Sequence, residues 1–92
     1  VATPRDIVIL GGGHNALVTA FYLAKKGHKP LILERRDMVG GAAVTEEFFP
    51  GFKLSTLAHA SGPLLPEITS DMQVARHGLQ MSEPALRLFA PC

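Results

Sequence analysis

The stretch IVILGGGHNALVTAFYLA, residues 7 to 24, carries no Asp, Glu, Lys or Arg, yet it is broken in its middle by Gly11-Gly12-Gly13-His14-Asn15. With Arg5 ahead of it, a hydropathy window would take the run for a signal core or a membrane span. Five residues that favour exposed backbone would leave peptide groups without partners in a bilayer. Two water-soluble elements joined by a tight turn are therefore expected, with no transmembrane segment. Asp6-Ile7-Val8-Ile9-Leu10 is short, apolar and β-branched, as a strand covered on both faces is. From Asn15 to Lys26 the period becomes helical: Ala16, Ala20 and Ala24 recur every four residues beside Leu17, Phe21 and Leu23. Lys25-Lys26 and Gly27 supply a basic last turn and a stop. The alanine stripe lets such a helix lie close against a sheet.

Pro30-Leu31-Ile32-Leu33-Glu34 is a second apolar run of strand length, ending abruptly in Arg35-Arg36-Asp37. Strand, helix and strand in such a short span make a βαβ unit, with parallel strands and an α/β fold class. Beyond it the expectations are a turn at Pro50-Gly51, a short strand over 52–55, and a helix over 64–77 introduced by Ser61-Gly62-Pro63 and closed by Gly78. Leu79 to Ser82 is expected to begin another strand. A chain of 92 residues is one small domain at most. Its 47% hydrophobic content reads as folded core material with little solvated surface, as a piece of something larger would show.

The formal net charge is +1, without a basic stripe or acidic block, so nothing points to nucleic acid or an anionic membrane. Cys92 is the one cysteine, which excludes an intramolecular disulfide and a C-x-x-C pair and fits a reducing, cytoplasmic setting. His14, His28, His59 and His77 show no metal-ligand spacing. His77 suits a helix end, and His59 is read as an ordinary loop histidine rather than a contact to a ligand or substrate. Glu46 and Glu47, as neighbours on a strand, would point in different directions and form a solvated edge rather than an acid–base pair.

Gly11-x-Gly13-x-x-Ala16 lies between the first strand and the helix, the context that a dinucleotide-binding fingerprint requires. Gly11 permits the sharp turn, Gly13 lets a diphosphate approach the backbone, and the small Ala16 lets the helix pack on the strands. The free N–H groups near His14, Asn15 and Ala16 would face the diphosphate, with the positive end of the helix dipole behind them. Glu34 ends the second strand about 20 residues after the first glycine, where an acid bonds the ribose hydroxyls and disfavours a 2′-phosphate. Arg35 either meets the adenine end of the ligand or is a surface charge; Arg36 is read as a solvated surface charge. Taken alone, Gly40-Gly41 is either a surface turn or a passage beside the ligand.

Glu34-Arg35-Arg36-Asp37-Met38-Val39-Gly40-Gly41 resembles the FAD-dependent oxidoreductases of the glutathione-reductase-like superfamily. In these proteins an acid, a basic residue and a glycine doublet let the chain cross beside the flavin diphosphate. The words GGGHNALVTAFYLAKKG, LERRDMVGGAAVTEEFFPGFK and ARHGL are similar to those of its phytoene desaturase-related branch. Within that branch they resemble the pyridine nucleotide-disulphide oxidoreductase domain-containing protein 2 group and its bacterial relatives. The resemblance implies non-covalent FAD on a Rossmann-like domain and oxidation of C–C or C–N bonds by hydride transfer to the flavin. It implies that Gly11, Gly13, His14, Asn15 and Ala16 line the diphosphate. Glu34 would meet the ribose, Arg35 the adenine side, and Gly40, Gly41, Ala42 and Ala43 the stretch from diphosphate to flavin. Ala42 stands where amine oxidase-like relatives often carry arginine, which argues against that assignment. No cysteine lies between Ala42 and Ser61, which excludes dithiol chemistry.

Residues 1–92 are thus expected to be the N-terminal part of a Rossmann-like FAD-binding domain, incomplete relative to the full family fold. The substrate domain and C-terminal flavin contacts would lie elsewhere, and no residue here is expected to be catalytic. The expected partners are FAD and either a second copy of the chain or the remainder of a longer enzyme, and two alternatives stay open: an NAD(H)-binding module, and a non-enzymatic remnant whose incomplete sheet is covered by oligomerisation.

Overall fold

The computed structural model describes residues 4–58, 64–86 and 88–91. The expectations for His59, for Ser61-Gly62-Pro63 and for Cys92 lie outside them. Strand β1 (Ile7–Leu10), helix α1 (His14–Lys25) and strand β2 (Pro30–Leu33) form the βαβ unit. The strands pair parallel in register from Ile7↔Pro30 to Leu10↔Leu33. Proline opens β2, the strand position where its missing N–H costs least. Helix α1 packs on both strands and ends in a Schellman closure, with Gly27 N–H donating to the Ala24 carbonyl at 3.0 Å and His28 N–H to that of Leu23 at 3.1 Å. Asp6 pins the entry to β2 by accepting Lys29 N–H at 2.7 Å and contacting His28 Nδ1 at 3.1 Å.

After β2 the chain returns to the glycine turn, where Gly40 forms a parallel bridge to Gly13. Strands β3 (Thr45–Phe49) and β4 (Phe52–Ser55) then make a separate antiparallel hairpin around Pro50-Gly51. Its register slips between Glu47 and Phe49, and the Glu47 carboxylate accepts Gly51 N–H at 2.7 Å. Helix α2 (Pro66–Asp71) is tied to α1 by Tyr22, whose hydroxyl donates to Asp71 Oδ2 at 2.7 Å. Gly12 and Val44 are the buried residues among those described. Both lie where the doublet meets the turn, so the tightest packing coincides with the predicted site.

Three expectations change. Strand β1 is covered on one face only: Ile7 and Ile9 are half-buried, while Val8 and Leu10 remain 57% and 81% exposed. Among the described residues the sheet has two strands and one helix against it, so nothing covers the second face. The helix expected over 64–77 is six residues long and gives way to turns through Gly78. Thr69 bonds its side chain back to the Pro66 carbonyl at 2.8 Å, and Gln73 adopts φ 51°, which ends the helical path. Residues 79–82 do not form a strand, because no strand edge pairs with them.

Candidate functional site

The three glycines divide the work of the turn. Gly11, at φ 95°, bends the chain out of β1 and donates its N–H to the Leu33 carbonyl at 2.7 Å. Gly12 donates its N–H to Glu34 Oε2 at 2.5 Å, and its carbonyl accepts Gly40 N–H at 2.7 Å. Gly13 is the N-cap of α1, and its carbonyl accepts the first helical hydrogen bond, from Leu17 N–H at 3.0 Å. No side chain caps this helix and no acid lies in its first turn. The N–H groups of His14, Asn15 and Ala16 therefore have no helical acceptor, and the positive end of the helix is left to whatever anion approaches. A Cβ on Gly13 would meet no heavy atom within 4 Å. The space above this glycine is open, as the approach of a diphosphate to the backbone requires.

Glu34 follows β2 and reaches back to the turn. Its Oε1 accepts Arg36 N–H at 3.1 Å while Oε2 holds Gly12. The Arg36 and Gly12 N–H groups hold its carboxyl below the ordinary glutamate range, so it stays an anion and an acceptor. Each carboxylate oxygen keeps a second lone pair, enough to receive the two hydroxyls of a ribose.

Gly40 and Gly41 adopt φ 128° and 62°. A Cβ on Gly40 would lie 2.7 Å from the Ala43 carbonyl oxygen, and one on Gly41 would lie 3.1 Å from Gly13 Cα. The doublet is thus a close backbone crossing over the glycine turn rather than a loose surface turn. Gly11, Gly13, His14, Asn15, Ala16, Glu34, Gly40 and Gly41 converge on one locus. Ala42 and Ala43 follow the doublet on the exposed side, with their backbone bonded to Ala58 and Gly40. Arg35 is exposed, and its guanidinium makes no hydrogen bond among the described residues.

Arg36 is exposed, as a solvated surface charge should be, and in addition it is paired. Its guanidinium donates from Nη2 to Glu46 Oε1 at 2.7 Å and from Nη1 to the Gly41 carbonyl at 3.4 Å. Glu46 is correspondingly half-buried rather than part of a solvated edge, whereas Glu47 points to the hairpin turn. Gly12 was also not among the expected site residues, although the glycine triplet signals it. Nothing local signals the Arg36–Glu46 pair, which spans 10 residues around the doublet.

A glycine turn that feeds an uncapped helix, with a carboxylate at the end of the adjacent parallel strand, defines a dinucleotide-binding unit. Residues 9–72 match the NAD(P)-binding Rossmann-like domain family, and the chain belongs to that family. It is 46% identical over 76 residues to pyridine nucleotide-disulfide oxidoreductase domain-containing protein 2 of Mus musculus, a match covering 83% of this chain and 13% of that protein. Over 50 residues it is 54% identical to a limonene dehydrogenase polypeptide of Castellaniella defragrans, covering 54% of this chain and 9% of that protein. Over 38 residues it is 58% identical to 15-cis-phytoene desaturase of Capsicum annuum, covering 41% of this chain and 6% of the desaturase. The chain therefore spans a small part of the length of these relatives. No solved structure matches it. No helix of the described residues is long and apolar enough to cross a membrane.

Proposed function

We propose that the dinucleotide is FAD, and that residues 1–92 form the N-terminal part of the FAD-binding domain of a phytoene desaturase-like oxidoreductase. The observation that carries this reading is the return of Gly40-Gly41 onto the glycine turn, with Gly40 N–H on the Gly12 carbonyl at 2.7 Å. A second backbone segment free of side chains beside the diphosphate extends the cradle beyond the adenosine half, toward where a flavin would lie. Gly11, Gly13, His14, Asn15 and Ala16 hold the diphosphate. Glu34 holds the ribose, Arg35 flanks the adenine, and Gly40, Gly41, Ala42 and Ala43 lead toward the flavin. FAD held here would supply the hydride acceptor for oxidising a C–C or C–N single bond, through loss of hydride from a C–H bond and of a proton, in the longer enzyme, and this segment would bind and orient it. Substrate contacts and the remaining flavin contacts come from outside residues 1–92. The lone cysteine supports a cytoplasmic setting.

The test is flavin absorbance in the purified chain and calorimetry with FAD, NADH and NADPH in parallel. Tighter binding of FAD supports the reading; tighter binding of NADH favours the second reading, an NAD(H) module, which the family's description motivates. The exposed Val8, Leu10 and Leu33 favour burial of the open sheet face against the rest of a longer enzyme or a second copy. Light scattering separates a flavin-free dimer from a monomer that binds FAD.

A further inference from the structure

We propose that the Arg36–Glu46 ion pair is a latch that seats the Gly40-Gly41 crossing on the glycine turn, so that the β3–β4 hairpin is a working part of the dinucleotide cradle. Arg36 is then a positioning residue, and its guanidinium is not a reader of cofactor phosphate.

Arg36 stands between the ribose acid and the doublet and is bonded to both. Its main-chain N–H donates to Glu34 Oε1, and its side chain reaches the Gly41 carbonyl and Glu46. Glu46 is fixed in the β3–β4 ladder opposite Leu54. Gly41 in turn lies against Gly13, whose open side faces the ligand space. A continuous path therefore runs from the hairpin through Glu46, Arg36 and Gly41 to the glycine that a diphosphate must approach. The Arg36 and Glu46 side chains are only 37% and 33% exposed, so the pair is partly withdrawn from water and its geometry is held at both ends. A fork-shaped guanidinium can grip a carboxylate and a carbonyl at once, which a lysine ammonium does less well.

The affinity arm of the test rests on the FAD reading; the amide-exchange arm does not. In the chain and its Glu46→Gln, Arg36→Gln, Arg36→Lys and double Gln variants, two quantities are measured. One is hydrogen exchange of the Gly40 amide, which donates to Gly12 and reports whether the doublet is seated. The other is the calorimetric affinity for FAD and NADPH. Each single Gln variant is expected to speed Gly40 exchange and weaken FAD binding by about two- to fivefold. The β1–β2 amides should be unchanged, the double variant no worse than Arg36→Gln alone, and Arg36→Lys intermediate. Unchanged Gly40 exchange in both single Gln variants, or additive losses in the double, overturns the latch. A gain in NADPH affinity on Glu46→Gln overturns it too, since it would mean that Glu46 had been withholding a phosphate-reading arginine. If the parent chain binds no FAD while Gly40 responds as expected, the FAD reading falls and the latch stands.

Discussion

The Glu34 carboxylate accepts the backbone N–H of Gly12 at 2.5 Å across 22 residues, tying the end of β2 to the middle of the glycine turn. The Arg36 and Gly12 N–H groups favour the anion and depress its pKa. A depressed carboxyl contributes stability that is present above the unfolded pKa, about 4.3 for glutamate, and is lost as the pH falls through the lower folded value. Asp6, depressed by Lys29 N–H and then by His28, adds to the loss in a similar acid window. Comparison with Glu34→Gln isolates the first. The parent chain should melt higher than the variant near neutral pH, and the gap should shrink as the pH falls below about 4.

Gly13→Ala and Gly40→Ala should fail in opposite ways. The added Cβ on Gly13 meets nothing, so the ligand-free chain should melt within a few degrees of the parent. In the proposed cradle the methyl would occupy the approach of the diphosphate, so dinucleotide affinity should drop at least about tenfold, roughly 1.4 kcal/mol. On Gly40 the Cβ meets the Ala43 carbonyl oxygen at 2.7 Å and Val44 Cγ1 at 2.8 Å, at a φ reserved for glycine. That variant should lose about 2 kcal/mol or more of stability before any ligand is added, as urea unfolding would show.

Tyr22 is the one tyrosine of the chain, so ultraviolet titration reads it without overlap. Its hydroxyl donates to Asp71 Oδ2, which favours the neutral phenol and raises its pKa. The midpoint should lie above the ordinary tyrosine value and return toward it in Asp71→Asn. Because the neutral form is the one stabilised, this link between α1 and α2 holds below the unfolded tyrosine pKa of about 10 and is lost as the pH rises through the folded value. A midpoint unmoved by Asp71→Asn would refute the contact.

Leu10 is 81% exposed and Val8 57%, so replacing both with threonine should leave monomer stability nearly unchanged, within about 0.5 kcal/mol per site. Self-association, followed by light scattering, should fall. A large stability loss in the dilute monomer would mean that the outer face of β1 is packed within the chain.

Much of the site was legible because its signals are local. A glycine triplet after a β-branched run, alanines at helical spacing and an acid closing the next strand each state a backbone conformation or a buried face at their own position. The short α2 was less legible, because the same apolar spacing suits a longer helix until Thr69 bonds back to the backbone and Gln73 turns left-handed.

The sequence by itself determined the βαβ unit, the turn at Gly11 to Gly13 and the position of Glu34, since these follow from dihedral preference and hydrophobic period along a continuous stretch. Only the tertiary structure decided that Gly40-Gly41 lies on that turn, that Gly12 rather than open water meets Glu34, and that Arg36 is held by Glu46. Those contacts depend on where the chain recrosses itself in space, and neither residue of such a pair carries a preference that names its partner.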